Sequence, residues 1–443
     1  MASTDMTKGN IMRSLFNYAV PLVLGSLFQL AYNAVDSIIA GRFIGTEALA
    51  ATGMAGPVMN ILILGISGLA IGAGVIMSAY FGAKDYEMLG SELSTLLGAG
   101  LVFSVLAALF GIAFASPLLR VLNAPAEVLD MTASYLRIIF VGLPFTCFYN
   151  ALSQAMKSVG DSKTPLKFLA ASSVLNCVLD LILIGVLGLG IVCSAVTTVV
   201  AQAVSALLCA LYIKKKIPIL KFKGLSIDKS LLKTTLEYGS VTALQQACQP
   251  VGKLLIQSAV NTLGVTVVAA YNAVTRIDDF AFTPEQSISH AITTFSAQNR
   301  GAGNLKRVKQ GFRKGLLLES VYFVFIFLVA FFLREPLMRM FVNADEAASI
   351  VAEGGKYLSV MAFFYIFPAL TNGIQGFFRG MGDMKVTLLC TFIQTSFRVV
   401  FTFLLVPVCG IQGIAFACAI GWSMMLLFEV PYYFHSRKKL GLI

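Results

Sequence analysis

Long apolar segments recur along the whole chain, and they constrain its fold more than any other feature. Examples are residues 97–119, 181–213 and 316–333. A run of about 18 or more apolar residues is long enough for a helix to cross the hydrocarbon core of a bilayer. Hydrophobic residues make up 57% of the chain and charged residues only 12%, far from the composition of a soluble domain. The sequence therefore predicts an all-α, polytopic membrane protein.

Charge clusters and Gly, Pro and Asn turns divide the chain into about twelve apolar segments, each long enough for one transmembrane helix. The predicted spans are 18–41, 52–80, 93–115, 130–155, 167–187, 190–212, 238–261, 266–295, 314–333, 352–376, 387–407 and 411–435. An even number of spans places both ends of the chain on the same side of the membrane.

Basic residues are distributed unevenly between the predicted loops. Most of the 33 Lys and Arg lie at the two ends of the chain and in every second loop. The alternate loops hold only Arg42, Arg120, Arg334 and Arg339. Because cytoplasmic loops are enriched in Lys and Arg, both termini are predicted to be cytoplasmic in a multi-pass protein of the cell (inner) membrane. The net charge of +11 is thus mainly a topology signal, and its dispersion over many loops argues against a nucleic-acid partner.

The two halves of the chain resemble each other at an offset of about 220 residues, which indicates an internal duplication. The segment NALSQAMKSVGDSK at 150–163 aligns with NGIQGFFRGMGDMK at 372–385. Pro117 and Arg120 recur in the same order as Pro336 and Arg339. The predicted organisation is an N-terminal six-helix lobe at 1–213, a basic cytoplasmic linker at 214–236 and a C-terminal six-helix lobe at 237–443. Two homologous bundles of this kind are typical of transporters.

The first predicted span contains a carboxylate among polar neighbours. Gln29, Asn33 and Asp36 follow one another at spacings that put them on one face of a helix. A charge buried in a membrane span is expensive unless it is paired, hydrated or neutralised. This polar face is therefore a candidate functional site.

The fifth and sixth spans supply matching polar residues. Asn176 and Asp180 are four residues apart on the fifth span, and Thr198 lies on the sixth. At about 1.5 Å per residue, Asp36, Asp180 and Thr198 are all predicted to lie roughly 8–12 Å below the outer rim. Such oxygens suit Na⁺, and two close carboxylates can instead share a proton. The alternative is a set of polar groups that only satisfy one another within a bundle.

A second group of charges is predicted at mid-depth in the C-terminal half. It consists of Lys253, Arg276, Asp278, Asp279 and Arg398. One interpretation is a neutralised ion-pair cluster with a structural role. The other is a substrate site that tolerates or prefers anionic groups.

Several segments resemble the multidrug and toxic compound extrusion (MATE) transporters. They are AVPLVLGSLFQLAYNAVDSIIAGRFIGTEALAATG, SQAMKSVGDSKTPL, NCVLDLILIGVLGLG, SAVTTVVAQ and RIDDFAFTPEQSISHAITTFSAQNRGAGN. The resemblance covers nearly the whole chain in order. It implies an antiporter that works by alternating access and exports organic compounds such as drugs, amphipathic and often cationic, in exchange for H⁺ or Na⁺.

The resemblance also implies residue roles. In one branch of the family, a cation site in the N-terminal lobe matches Asp36, Asn176, Asp180 and Thr198, with Gln29 and Asn33 as pocket neighbours. Any metal expected here is Na⁺ at Asp36 and Asp180. Another branch uses acids of the seventh and tenth helices. In this chain the seventh span has Lys253, and the tenth has no acid from Phe363 to Asn372, so the resemblance does not support coupling through those helices.

Other function classes fit the sequence less well. A flippase for a lipid-linked precursor is the main alternative, although such proteins are expected to have more helices or a strongly basic cavity. A non-transporting receptor would have no need of the acids at 36 and 180. The chain has no phosphate-binding loop of the GxxxxGK[ST] type and no nucleophile–base pairing, so no enzyme activity is predicted. No cofactor other than the coupling ion is expected, and the protein is expected to be a monomer.

Overall fold

The computed structural model describes residues 5–436 except 44–45, 122–124, 222–223 and 343–346, and it describes no side chains at 33–50, 57, 121 and 347. The described residues form an all-helical protein. Its helices are α1 Ile11–Phe43, α2 Thr46–Ala83, α3 Tyr86–Val121, α4 Ala126–Ser158, α5 Lys163–Asp180, α6 Ile191–Lys216, α7 Lys229–Val260, α8 Val265–Gly301, α9 Leu305–Phe332, α10 Arg334–Arg339, α11 Ala347–Phe364, α12 Ile366–Gly380, α13 Met384–Cys409 and α14 Ile411–Ser436.

Ten of the twelve predicted spans each coincide with one long helix, with an overhang of at most one residue. The fifth continues past α5 into a turn described below. The tenth span, 352–376, is broken: α11 and α12 meet at an angle of 46°. Pro368 has no N–H to donate to the carbonyl of Phe364, and its ring disfavours a straight helix at that point. The break lies at Tyr365, whose N–H still bonds to the Met361 carbonyl.

Ten spans, counting α11 with α12 as one, are long and apolar enough to cross a membrane within the described part of the chain. The other two long helices, α7 and α8, fall short because of their polar residues. Polar residues within a membrane span are rare and mark sites of function or of helix packing. The polar residues of α7 and α8 are therefore candidates for positions of function or of helix packing.

The duplication is visible in the backbone at equivalent turns. Gly160 and Gly382 both adopt left-handed conformations, with φ of +89° and +84°. In each turn the next residue, Asp161 or Asp383, donates its N–H to a carbonyl five residues earlier. This pattern ends a helix by satisfying its last carbonyls. The repeat predicted from the sequence is thus present as repeated structure.

The chain forms two compact units whose boundaries differ from the predicted lobes. The N-terminal unit consists mainly of Leu24–Ala243, and the C-terminal unit combines Met6–Val23 with Leu244–Ile443. The first turns of α1 belong with the C-terminal unit because the Tyr18 hydroxyl lies 3.1 Å from that of Thr294. Likewise, the first half of α7 belongs with the N-terminal unit. The non-helical linker is shorter than 214–236, since α6 runs to Lys216 and α7 starts at Lys229.

Close helix contact explains why the first half of α7 joins the N-terminal unit. A Cβ atom added to Gly72 of α2 would lie 2.6 Å from the backbone nitrogen of Gly239 of α7. One added to Gly68 would lie 2.4 Å from the Cα atom of Ala243. Small residues four apart allow this approach, as is common between membrane helices.

Candidate functional site in the N-terminal unit

Asp180 is the acid around which the candidate site is built. It is the last residue of regular α5 and is only 1% exposed. The chain continues from it as a π-helical turn, Leu181–Val186. Such turns widen the helix, break its regular hydrogen bonding and often mark functional positions. The predicted span 167–187 is therefore one membrane segment with a change of helix type at its only acid.

Asp180 accepts a hydrogen bond from α6. The Thr197 hydroxyl donates to its Oδ1 at 2.5 Å. Thr198, the residue singled out from the sequence, donates to the backbone carbonyl of Ser194 within its own helix, at 2.8 Å; the Thr197 hydroxyl also lies 2.9 Å from that carbonyl. Because neighbouring helical residues are about 100° apart around the axis, only one of the two threonines faces α5. The structure places Thr197 in that position.

Asn176, one turn before Asp180, is fully buried. Its Oδ1 accepts a hydrogen bond from the Tyr32 hydroxyl of α1, and its Nδ2 has no hydrogen-bond partner in the described part of the chain. The polar face of α5 is thus in contact with both α1 and α6. Tyr32 carried no signal in the sequence, because an aromatic residue in an apolar helix is unremarkable.

The predicted partners on α1 are only partly visible. Gln29 is exposed, and the side chains of Asn33 and Asp36 lie outside the described residues. The backbone there is helical within α1. In the N-terminal unit, the described part of the site is therefore Asp180 and Asn176 of α5, Thr197 of α6 and Tyr32 of α1.

The charged group predicted in the C-terminal half divides into two parts. Lys253 and Asp279 form an ion pair at 2.6 Å, with each side chain 42% exposed. Asp278 points the other way and is buried, accepting hydrogen bonds from the Tyr357 and Tyr365 hydroxyls at 2.7 and 2.6 Å. A half-exposed pair of this kind contributes little stability, whereas two donors to one buried carboxylate contribute more.

The two arginines of that group also separate. Arg276 is exposed. Arg398 is partly buried, and its charge acts on Asp278 and on the neighbouring Tyr271 and Tyr357. The sequence predicted one charged cluster, but the structure shows a surface pair and a buried carboxylate with tyrosine donors. The tyrosines could have been suspected only from Tyr357, which occupies the same place in the repeat as Tyr135.

Three further buried acids were missed in the sequence. Glu285, Glu319 and Glu429 have no measurable exposure. None of their carboxyl oxygens has a hydrogen-bond partner among the described residues. For Glu319 and Glu429 the available signal was a single acid in an otherwise apolar span, which by itself indicates function. Glu285 shares its span with Asp278 and Asp279, so it did not stand out.

The N-terminal site can bind a small cation or a proton by its chemistry. It offers a carboxylate and a hydroxyl at one point in an apolar interior, and oxygen donors of this kind suit H⁺ or Na⁺. No group of three or more His, Cys, Asp or Glu side chains gathers as a metal site in the described residues.

Comparison with known sequences gives a consistent result. The profile of the MatE family matches residues 21–182 and 242–404, once in each half. The chain is 29% identical to the probable multidrug resistance protein YpnP of Bacillus subtilis, over 99% of this chain and 98% of that one. It is 22% identical to the multidrug export protein MepA of Staphylococcus aureus, over 98% and 96% of the two chains.

Solved structures show the same fold. A MATE family transporter of the MOP superfamily in an outward-facing conformation superposes with a TM-score of 0.90 at 21% identity, covering 99% of this chain and 98% of the other. A MATE protein in complex with MaD5 superposes with a TM-score of 0.91 at 21% identity, covering 100% and 99%. At this identity the likeness establishes the fold alone.

Proposed function

Because the chain belongs to the MATE family of multidrug efflux transporters, matched in both halves by the MatE profile, we propose that it is a cation-coupled antiporter. It would export organic compounds by alternating access in exchange for H⁺ or Na⁺. The coupling ion would bind at Asp180 in the N-terminal unit.

The buried position of Asp180 is the observation that supports this proposal. The side chain is 1% exposed within a membrane helix, where an ionised carboxylate is destabilised by several kcal/mol unless an opposite charge or a proton neutralises it. Thr197 supplies one hydrogen bond, which stabilises a carboxylate but does not neutralise it. A bound proton or Na⁺ would lower the cost of burying this carboxylate in the membrane, which supports Asp180 as the coupling residue.

Asp36 fits as the second acid of the site. In the sequence it follows Tyr32 by four residues, the spacing of residues on one helical face, and Tyr32 bonds to Asn176 of α5. Two carboxylates at one site cannot both ionise cheaply. Together they would bind one cation or share a proton.

Coupling requires that the ion favours one conformation over another, since a ligand with equal affinity for both shifts no population. An empty, ionised site attracts water and opposes dehydration, whereas an occupied site tolerates close packing. The π-helical turn after Asp180 offers a segment whose hydrogen bonding can rearrange at low cost. Occupancy of the site would therefore bias helices α1, α5 and α6.

The transported compounds are proposed from the relatives. The curated relatives are named as multidrug resistance and multidrug export proteins, which supports small organic substrates for this chain. We expect them to be amphipathic and often cationic. The protein would act as a monomer in the cell membrane with both termini in the cytoplasm.

The proposal is tested by transport in proteoliposomes. Ethidium, a fluorescent organic cation, should move against its gradient when an H⁺ or Na⁺ gradient is imposed across wild-type vesicles. Asp180→Asn keeps the volume of the side chain but removes its charge, and should abolish this movement while the protein remains folded. Asp130→Asn is the matched control, since Asp130 is exposed in α4 and its charge is not needed.

Two different results would contradict two different parts of the proposal. Ethidium movement at the wild-type rate in Asp180→Asn would contradict the role of this carboxylate. Failure of the wild-type protein to respond to either ion gradient would contradict cation coupling altogether.

A further inference from the structure

A pair of buried glutamates in the C-terminal unit has no role in the site proposed above. Glu285 lies on α8 and Glu319 on α9, and neither residue has any exposed surface. None of the four carboxyl oxygens has a hydrogen-bond partner in the described part of the chain. Natural proteins rarely leave buried polar groups unsatisfied, so two neighbouring cases require an explanation.

The two side chains approach neighbouring residues in the same turn of α12. The Asn372 side chain approaches the Glu285 carboxyl without reaching hydrogen-bond geometry. At the next residue, a Cβ atom added to Gly373 would lie 3.6 Å from Cγ of Glu319. The glutamates are also close enough for their charges to interact with each other. They therefore form one site between three helices of the C-terminal unit.

The positions of the two glutamates along their helices agree with a single shared site. Glu285 is about 24 Å from the end of α8 at Gly301, and Glu319 is about 21 Å from the start of α9 at Leu305, at about 1.5 Å per residue. Helices α8 and α9 are joined by the short turn at 302–304. The two carboxyls thus lie at similar depth, near the middle of the membrane.

The groups that act electrostatically on the pair are acidic or phenolic. They are Asp278 on α8, Tyr322 on α9 and Tyr365 at the break between α11 and α12. No basic side chain is among these neighbours in the described residues. Asp278 accepts hydrogen bonds from two tyrosines and interacts with the charge of Arg398, so it brings no opposite charge to the pair. An ionised pair would therefore be strongly destabilised.

The surroundings also exclude water. Glycines of α12 bring its backbone directly against its neighbours: a Cβ atom at Gly376 would lie 2.5 Å from the Ser289 carbonyl oxygen, and one at Gly373 would lie 2.6 Å from Leu316. The Ser289 hydroxyl donates to the Asn372 carbonyl at 2.6 Å. Because this packing excludes water, the two glutamate carboxyls are neutral only if they bind protons.

We propose that Glu285 and Glu319 form a proton-binding site in the C-terminal unit, separate from the Asp180 site. The pair stays protonated while α12 packs against α8 and α9. Because α12 starts at the 46° break after α11, rotation about this break would lift Asn372 and Gly373 from the pair and admit water. The carboxyls would then ionise, and their protons would pass to that water.

Infrared spectroscopy of the intact purified protein tests the protonation directly. At pH 7 the wild-type protein should show C=O stretching bands of protonated carboxylic acids that shift in D₂O. These bands should be reduced in Glu285→Gln and Glu319→Gln and reduced further in the double variant. Glu353→Gln is the control, because Glu353 forms an ion pair with Lys356 at 2.5 Å at the surface. Bands that remain unchanged in both single variants would overturn the proposal.

Thermal stability provides a second readout that needs no transport. If the pair holds protons in the folded protein but is ionised when unfolded, the folded state binds more protons, and stability must fall as the pH rises. The apparent melting temperature of the wild type should therefore fall between pH 6 and pH 8 more steeply than that of Glu285→Gln. Equal slopes in the two proteins would overturn the proposal.

The role in transport is tested separately from the Asp180 site. Glutamine imitates the protonated acid permanently, so Glu285→Gln should reduce ethidium export driven by a pH gradient by roughly tenfold or more, about 1.4 kcal/mol. Export at the wild-type rate in this variant would show that the glutamate pair has no role in transport. That result would leave the Asp180 site, which is tested by Asp180→Asn, unaffected.

Discussion

The two units share a backbone plan but bury their acids in different ways. Equivalent turns end at Gly160 and Gly382 with nearly the same φ. In the N-terminal unit, however, Asp180 accepts from one threonine, whereas in the C-terminal unit Asp278 accepts from two tyrosines. After duplication, the turns remained because backbone geometry allows few alternatives. The buried polar side chains diverged because each depends on the hydrogen-bond partners that surround it in its own unit.

Because Asp180 and Asp278 have different donors, we expect the removal of a donor hydroxyl to have different consequences in the two units. In the N-terminal unit, Thr197→Val keeps the shape of the side chain but removes the donor to Asp180. It should lower ion-driven ethidium export by roughly tenfold or more, a change of about 1.4 kcal/mol, with little loss of folded protein. Proteoliposome transport measures the effect.

Thr198→Val is the matched control, since the Thr198 hydroxyl donates to the Ser194 carbonyl of its own helix. Export should remain near the wild-type rate in this variant. If Thr198→Val impaired export and Thr197→Val did not, the hydroxyl next to Asp180 would have been assigned to the wrong residue.

In the C-terminal unit, the loss should be one of stability. Tyr365→Phe removes a donor to the buried Asp278, and hydrogen bonds to charged groups contribute about 1.5–3 kcal/mol. The melting temperature in detergent should fall accordingly. Tyr322→Phe removes a bond to the neutral Ala281 carbonyl and should have a smaller effect. Equal effects of the two variants would show that Asp278 is not a charged acceptor.

The smallest effects are expected at a turn where the repeats differ in sequence. Lys84 and Gly303 are equivalent in the repeat, because each follows a Gly-Ala pair, at 82–83 and 301–302. Both have positive φ, of 60° and 72°, but left-handed conformations are unfavourable for residues other than glycine by about 1–2 kcal/mol. Lys84→Gly should therefore stabilise the protein slightly, and Gly303→Ala should destabilise it to a similar extent. Gly303 has open space around it, so packing does not interfere. Changes of the same sign in both variants would contradict the equivalence of the turns.

Much of this architecture follows from the sequence, because apolar length, charge asymmetry and repeated motifs report directly on membrane spans. The break at Tyr365 was missed because Pro368 permits either a kink or a full interruption. The unit boundaries within α1 and α7 were missed because each helix is continuous in sequence. Which half of a helix packs with which bundle depends on distant partners such as Thr294.

The sequence predicted the site residues less precisely than it predicted the membrane spans. Helical periodicity correctly brought Asn176 and Asp180 to one face of α5, in contact with α1 and α6. It could not choose between Thr197 and Thr198, because a shift of one residue rotates the face by about 100°. Glu285 and Glu319 were not paired in advance, since they lie on different helices and only packing brings them together.

Reverse-mode exchange tests the central claim, coupling of a cation to substrate through Asp180, most directly. An outward ethidium gradient, without any imposed ion gradient, should drive uptake of H⁺ or Na⁺ into wild-type vesicles, because coupling between two ligands is reciprocal. The Asp180→Asn protein should still exchange labelled ethidium for unlabelled ethidium but take up no coupled cation. Equal cation uptake by the wild type and Asp180→Asn would contradict the account.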